Sequence, residues 1–137
     1  MISKTCITES QRKIETLCEK RSKFELKNLN QKKIEIIQVD GCAITDGIRC
    51  DYLIRNGNQE IYVELKGHDV CHAKKQIERS ISLLSACQKT YPKISYIIST
   101  RNPIHSPQVQ KWQLEFKKKY NSKLTIKNSF MSHALCD

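Results

Sequence analysis

Two apolar runs lying close together constrain this chain more than any other feature. Arg49-Cys50-Asp51-Tyr52-Leu53-Ile54 is followed by Ile61-Tyr62-Val63-Glu64-Leu65-Lys66-Gly67. Each run reads as a buried strand, and Asn56-Gly57-Asn58 between them is a hairpin turn signal. Asp51 opens the first strand, while Glu64 and Lys66 close the second. In an antiparallel pair the start of one strand lies beside the end of its neighbour, and residues i and i+2 share a face. Two carboxylates and one ammonium are therefore expected to meet on otherwise apolar strands. Buried charges are costly unless they are paired, hydrogen-bonded or bound to metal. The pattern marks a candidate site.

A chain of 137 residues is long enough for a core of its own, and residues 1–137 read as a single domain. No internal repeat, linker or low-complexity stretch divides it. No apolar run is long enough to span a bilayer. Met1-Ile2-Ser3-Lys4-Thr5 has no apolar signal-peptide core behind it, so a cytoplasmic protein without a membrane partner is expected. Lys and Arg number 24 against 14 Asp and Glu, a net charge of +10 with His neutral. That excess fits a polyanion partner, most often nucleic acid, although a basic surface also serves solubility. The seven cysteines are odd in number and contain no C-x-x-C, so neither a disulfide framework nor a zinc ribbon is expected. Cys71-His72 with Cys42 and Cys50 could in principle gather round zinc, but free cysteine more commonly behaves as a small buried hydrophobe.

Read in order, Thr8-Glu9-Ser10-Gln11 has capping-box spacing, and Ile14, Leu17, Cys18 and Arg21 recur on one helical stripe. This predicts a first helix over about 8–21. Phe24-Glu25-Leu26 alternates, as a short strand or a lead-in. Lys33 to Val39 is a β-branched run and predicts a strand. Asp40-Gly41 ends it, and Asp46-Gly47 is a turn before the two site strands. Asp69 is a good N-cap for a helix over about 70–90, with Ala73, Ile77, Ile81 and Leu84 as its apolar stripe. Ile94 to Ser99 reads as a strand reached by a parallel crossover. Ser106-Pro107 starts a further helix with Val109, Trp112, Phe116 and Tyr120 on one face. Lys123 to Lys127 reads as an edge-like strand, and the tail after Asn128 gives no signal. The order predicts an α/β fold: a mixed β-sheet flanked by helices, with three sequential antiparallel strands, a helix, and then a strand beside the first of them.

At Asp51, the hairpin and Glu64-Leu65-Lys66, the chain resembles the D…ExK signature of the PD-(D/E)XK phosphodiesterase superfamily. That group includes many restriction endonucleases and Holliday-junction resolvases. The resemblance covers roughly residues 8–100. It implies an αβββαβ, restriction endonuclease-like core, here with an added C-terminal helix and strand. A bare E-x-K is a weak signal, and the strand-turn-strand context, the acidic partner and the following helix sharpen it. Cys50 stands where the family often has Pro. The implied activity is that of a metal-dependent endonuclease, on DNA rather than RNA. Asp51 and Glu64 would bind Mg²⁺, for which Mn²⁺ could substitute, since hard oxygen ligands suit it. The Leu65 carbonyl would be a third ligand by resemblance. Lys66 would orient the attacking water and offset developing charge, unless it merely pairs with Glu64 or Asp51. Gln76 on the following helix would contact the site or the substrate backbone, as family members often do there. A first-helix acid often completes such sites, which makes Glu15 and Glu19 candidates.

Around this set, Lys74, Lys75 and Arg79 are placed to track a phosphate backbone. His68 and His72 flank the site sequence, and Asp40 is either an acidic neighbour or part of a turn. Trp112 and Tyr120 could stack on bases, but aromatic residues at helical spacing are more often core. Two other functions stay open: a non-catalytic nucleic-acid-binding or protein-interaction module, and an RNA-cleaving toxin or defence effector. A homodimer is compatible with cutting both strands.

Overall fold

A computed structural model describes residues 2–19, 21–65, 69–100 and 106–135. After a 3-10 turn at Lys4–Cys6, the strands are β1 (Ile7–Ser10), β2 (Ile14–Glu19), β3 (Ser22–Lys27), β4 (Ile34–Gln38), β5 (Tyr52–Asn56) and β6 (Gln59–Leu65). They are followed by α1 (Val70–Leu84), β7 (Lys93–Ser99), α2 (Ser106–Tyr120), β8 (Ser122–Asn128) and β9 (Phe130–Ala134). The protein is mixed α/β with two sheets. One has six strands in the order β1-β4-β5-β6-β7-β8, and the other has three in the order β2-β3-β9.

The strands expected from the β-branched runs are present. β4, β5 and β6 form an antiparallel meander, and β7 and β8 add in parallel after their helical crossovers. β7 lies beside β6, not beside β4 as the sequence suggested. The outer edge of β4 is already closed by β1, so the crossover through α1 lands on the remaining edge of the meander. β8 is the edge strand expected there.

The first helix over 8–21 is not present. Its residues form β1 and β2 instead. The apparent helical stripe does not point inward, because Ile14 and Cys18 are exposed. What is half-buried is the alternating set Glu15, Leu17 and Glu19, the period of a strand. β2 is held by its register with β3, in which Phe24 and Leu26 are fully buried. Tertiary pairing here overrides the local cap signal. β9, from the tail that carried no sequence signal, pairs parallel to β3 and completes the small sheet.

The two faces of the large sheet are therefore covered differently. On one face Ile37, Leu53, Tyr62 and Ile97 pack under Ala73, Ile77 and Ile81 of α1 and Trp112 and Phe116 of α2. On the other, Ile54, Ile61, Val63 and Ile98 pack against Phe24 and Leu26 of the small sheet. Helices flank one face only. Burial of Trp112 resolves its role as core. Tyr120 packs against the same cluster and donates its hydroxyl to Glu78 Oε2 at 3.2 Å.

α1 stops at Leu84 and not near Thr90, for a reason buried in the sheet. Glu60 accepts from the Ser85 hydroxyl at 2.6 Å and the Ala86 N–H at 3.0 Å, which pulls the chain out of the helix. Across the β6–β7 register from Glu60, Lys93 donates to the carbonyls of Cys87, Gln88, Tyr91 and Tyr120 at 2.7–3.0 Å. Residues 85–92 thus wrap round one buried ammonium.

One expectation from the cysteines is corrected. Cys6 and Cys42 form a disulfide with Cα atoms 5.6 Å apart. Cys42 is thereby consumed and Cys50 is fully buried, so the proposed zinc set does not assemble. Among the described residues no helix is long and apolar enough to cross a membrane.

Candidate functional site

The hairpin places Asp51 as the sequence suggested. β5 and β6 pair with Tyr52 opposite Val63, and Asp51 lies just ahead of that pair, with Glu64 one residue beyond Val63 on β6. Both are buried, at 4% and 1% exposure. The Asp51 N–H donates to the Val63 carbonyl at 3.1 Å, and its Oδ2 accepts from the Leu65 N–H at 2.8 Å. The backbone of β6 thus fixes both ends of Asp51. Lys66 and His68 lie outside the described residues.

The lead-in to β5 is held by α1. Gln76 Nε2 donates to the Arg49 carbonyl at 2.9 Å, and the Cys50 N–H donates to Ser80 Oγ at 2.8 Å. Arg79 Nη1 donates to the Asp46 and Ile48 carbonyls at 2.7 Å each. Gly47 lies between them at φ +72°, and a Cβ there would sit 2.7 Å from Arg79 Nη1. The turn therefore favours glycine for its left-handed backbone, and the Arg79 guanidinium packs closely over it.

Two adjoining pockets open at this end of the sheet and share Asp40 and Asp51. One, of about 200 Å³, is lined by Glu19, Gln38, Asp40, Asp51 and Tyr52. The other, of about 300 Å³, is lined by Asp40, Gly47, Ile48, Arg49, Asp51, His72 and Gln76. A larger hollow of about 500 Å³ lies at the far end of α1, around Leu83, Leu84 and Arg55, away from this chemistry.

Neighbouring groups register the charge here. The Tyr52 hydroxyl is pushed up first by burial and then by Asp51, Glu19 and Asp40. The Cys50 thiol is pushed up by burial above all, and also by Glu64 and Asp51. Four carboxylates thus act on a small volume at the sheet end.

Several sequence candidates meet here. Asp51, Gln76 and Asp40 line the pockets, and Glu64 is buried close to Asp51. His72 lines the second pocket, while its backbone N–H is tied at 3.0 Å to Asp69, the α1 N-cap. Of the two first-helix acids, Glu19 reaches the pocket, but from a strand. Glu15 is instead paired with Arg12 at 3.4 Å. The basic residues divide. Lys74 pairs with Glu78 at 3.1 Å and Glu115 at 3.6 Å and lies over the Trp112 ring. Arg79 is spent on the 46–48 turn. Lys75 is exposed.

The sequence reading missed Arg49 and Tyr52 as lining residues. Arg49 Nε donates to Asp40 Oδ1 at 2.7 Å, and its Nη1 donates to the Gly47 carbonyl at 2.9 Å. The i, i+2 spacing of Arg49 and Asp51 was a usable signal for it.

Among the described residues no group of three or more His, Cys, Asp and Glu is arranged to hold a metal ion. Mg²⁺ asks for less, because it keeps several waters and takes one or two carboxylates. Asp51, which lines both pockets, and Glu64, buried close to it, are hard carboxylates that fit that chemistry. Comparison with protein-family models, with curated proteins and with solved structures finds no match.

Proposed function

We propose that the protein is a metal-dependent endonuclease that hydrolyses phosphodiester bonds, with DNA as the favoured substrate. The observation that carries this reading is a pair of buried carboxylates, Asp51 lining two polar pockets and Glu64 close to it on β6, on a chain of net charge +10. A polyanion drawn by the basic surface would meet carboxylates here, and a cation is what reconciles the two. Asp51, Glu64 and the Leu65 carbonyl would hold Mg²⁺ or Mn²⁺. When bound, such an ion neutralises phosphate charge and lowers the pKa of a water. The Leu65 N–H fixes the Asp51 carboxylate, Gln76 fixes the lead-in strand, and Lys66 is assigned the orientation of the attacking water. Glu19 is the acid placed to complete the set. Lys75 would meet the phosphate backbone, whereas Lys74 and Arg79 are committed within the fold. The restriction endonuclease-like core remains part of the proposal, with the small sheet in place of the first helix. A homodimer, one copy per strand, belongs with it.

A second reading is a non-catalytic nucleic-acid-binding module. It is favoured by the Leu65 N–H already bound to Asp51 and by the missing three-donor cluster among the described residues. Supercoiled plasmid and total RNA, each incubated with Mg²⁺, Mn²⁺, Ca²⁺ or EDTA, separate the readings. Nicking in Mg²⁺ or Mn²⁺ but not in EDTA is expected, with Ca²⁺ supporting binding only. Undiminished cutting in EDTA rules out the two-carboxylate mechanism. Binding without cutting under every condition leaves the binding module. Cleavage of RNA alone points to the RNA-cleaving effector.

A further inference from the structure

We infer that Arg49 is the phosphate-holding residue of this site, aimed by Asp40 at a phosphodiester lying beside Asp51. The inference rests on the nuclease reading and deepens it by naming the group that grips the substrate.

Arg49 precedes Asp51 by two residues, and both line the same pocket. Its guanidinium is already fixed at two points, Nε on Asp40 Oδ1 at 2.7 Å and Nη1 on the Gly47 carbonyl at 2.9 Å. Nη2 has no partner among the described residues. Arg49 lines the pocket that also contains Asp51, His72 and Gln76. Among the described residues lining the two pockets it carries the one permanent positive charge. The Gly47 carbonyl is itself held in place, because Arg79 clamps the carbonyls on either side of it.

These features make a prepaid clamp. A guanidinium suits phosphate because its donors lie in a planar fork. An arginine already anchored through two donors loses little freedom when the remaining edge binds. A lysine cannot do the same, since its ammonium is a point charge on a flexible stem. Asp40 partly offsets the charge and fixes its direction, so Asp40 is a positioning residue.

The test is binding of a short fluorescent DNA duplex in Ca²⁺, followed by anisotropy, with cleavage in Mg²⁺ measured in parallel. Arg49→Ala should bind about 10- to 100-fold more weakly, the range for a hydrogen bond to a charged group. Arg49→Lys should recover only part of that loss. Lys111→Ala, on the exposed face of α2, should change binding little. The decisive readout is a series of duplexes with one phosphate replaced by neutral methylphosphonate. One position should weaken the parent strongly and Arg49→Ala hardly at all, the non-additivity expected of groups in contact. Equal penalties in both proteins overturn the inference, as does an Arg49→Ala variant that binds like the parent. If Arg49→Ala does not fold, Asp40→Ala decides. It removes a negative charge, so unaimed binding would tighten, whereas loss of aim weakens it. A parent that binds but never cuts defeats the nuclease reading and leaves the Arg49 result standing. A parent that cuts, with unchanged KM in Arg49→Ala, defeats the inference alone. A parent that does not bind DNA defeats both.

Discussion

Asp51→Asn, compared with Asp51→Ala in EDTA, separates a site carboxylate from a structural one. Asp51, just ahead of β5, and Glu64, near the end of β6, are both buried and both act on the Cys50 thiol. Two unit charges roughly 5 Å apart at an effective dielectric near 20 repel by about 3 kcal/mol. Asparagine removes that repulsion but keeps an oxygen for the Leu65 N–H, now as a neutral hydrogen bond, which costs about 1 kcal/mol. Any attraction to a nearby cation subtracts further. Asp51→Asn is therefore expected to change stability by between zero and about +2 kcal/mol, the difference of those terms. At about 3–5 °C per kcal/mol for a chain of this size, Tm should stay level or rise by up to about 10 °C. Alanine leaves the Leu65 N–H without its acceptor, so Asp51→Ala should lie about 1–3 kcal/mol below Asp51→Asn. Mg²⁺ at a hundredfold excess over its Kd should add about 2.7 kcal/mol to the parent and much less to either variant. Differential scanning fluorimetry with and without Mg²⁺ reads all three. A structural Asp51 predicts the reverse, a loss of about 3–5 kcal/mol in Asp51→Asn from a stranded buried cation. That loss, with no metal effect on the parent, would refute the reasoning.

Three further outcomes follow from the fold. The Cys6–Cys42 bridge closes a loop with a sequence separation of 36, so its reduction should cost about 3–4 kcal/mol; a Cys6→Ser/Cys42→Ser variant should melt low and ignore dithiothreitol. Lys93→Met, which takes the donor from the Cys87, Gln88, Tyr91 and Tyr120 carbonyls, should destabilise by about 2–4 kcal/mol in urea titration. His133 is pushed down by burial and then by Lys123, and its Nδ1 meets the Tyr96 hydroxyl at 2.7 Å. The folded protein therefore prefers the neutral ring. Its contribution is fully present above the unfolded pKa of about 6.5 and is lost as pH falls through the lower folded value, because the unfolded chain takes up the proton first. The fall in Tm between about pH 7 and 5 should be shallower in His133→Phe, and an unchanged slope would contradict this.

The parts of the fold legible in the sequence are those where local pattern and tertiary environment agree. The apolar runs at 34–39, 49–54, 61–65 and 94–99 are buried on both faces, so each reads as a strand without knowledge of its partners. The same holds for Asp69 as a cap and for the α1 stripe through Ile77 and Ile81. The stretch 8–21 was misread because its evidence is split. Thr8-Glu9-Ser10-Gln11 offers local cap chemistry, while the strand period is visible only in which residues β3 buries. β9 had no signal, because its partner β3 lies more than a hundred residues earlier in the chain. In the site, Asp51 and Glu64 were legible because charge on apolar strands is costly. Arg49 was not, because an arginine at a strand end is usually just solvated, and its anchoring depends on the 40–47 loop folding back.

Strand β6 also carries an internal control for the functional reading. Glu60, Tyr62 and Glu64 alternate with Ile61, Val63 and Leu65, so both glutamates lie on the helix-covered face. Both are almost fully buried, yet their settings differ. Glu60 is enclosed by protein groups, with hydrogen bonds from the Tyr62 hydroxyl at 3.1 Å, the Ser85 hydroxyl and the Ala86 N–H, and with Lys93 across the register. Its placement explains where α1 ends and why residues 85–92 wrap inward. It belongs to the architecture. Glu64 sits at the opposite end of the strand, close to a second carboxylate that lines two pockets. Two like charges held close together are costly to bury, a cost that Glu60 does not share. A metal ion held there would relieve the repulsion between the two carboxylates, and that relief is what the Mg²⁺ arm of the Asp51→Asn experiment measures.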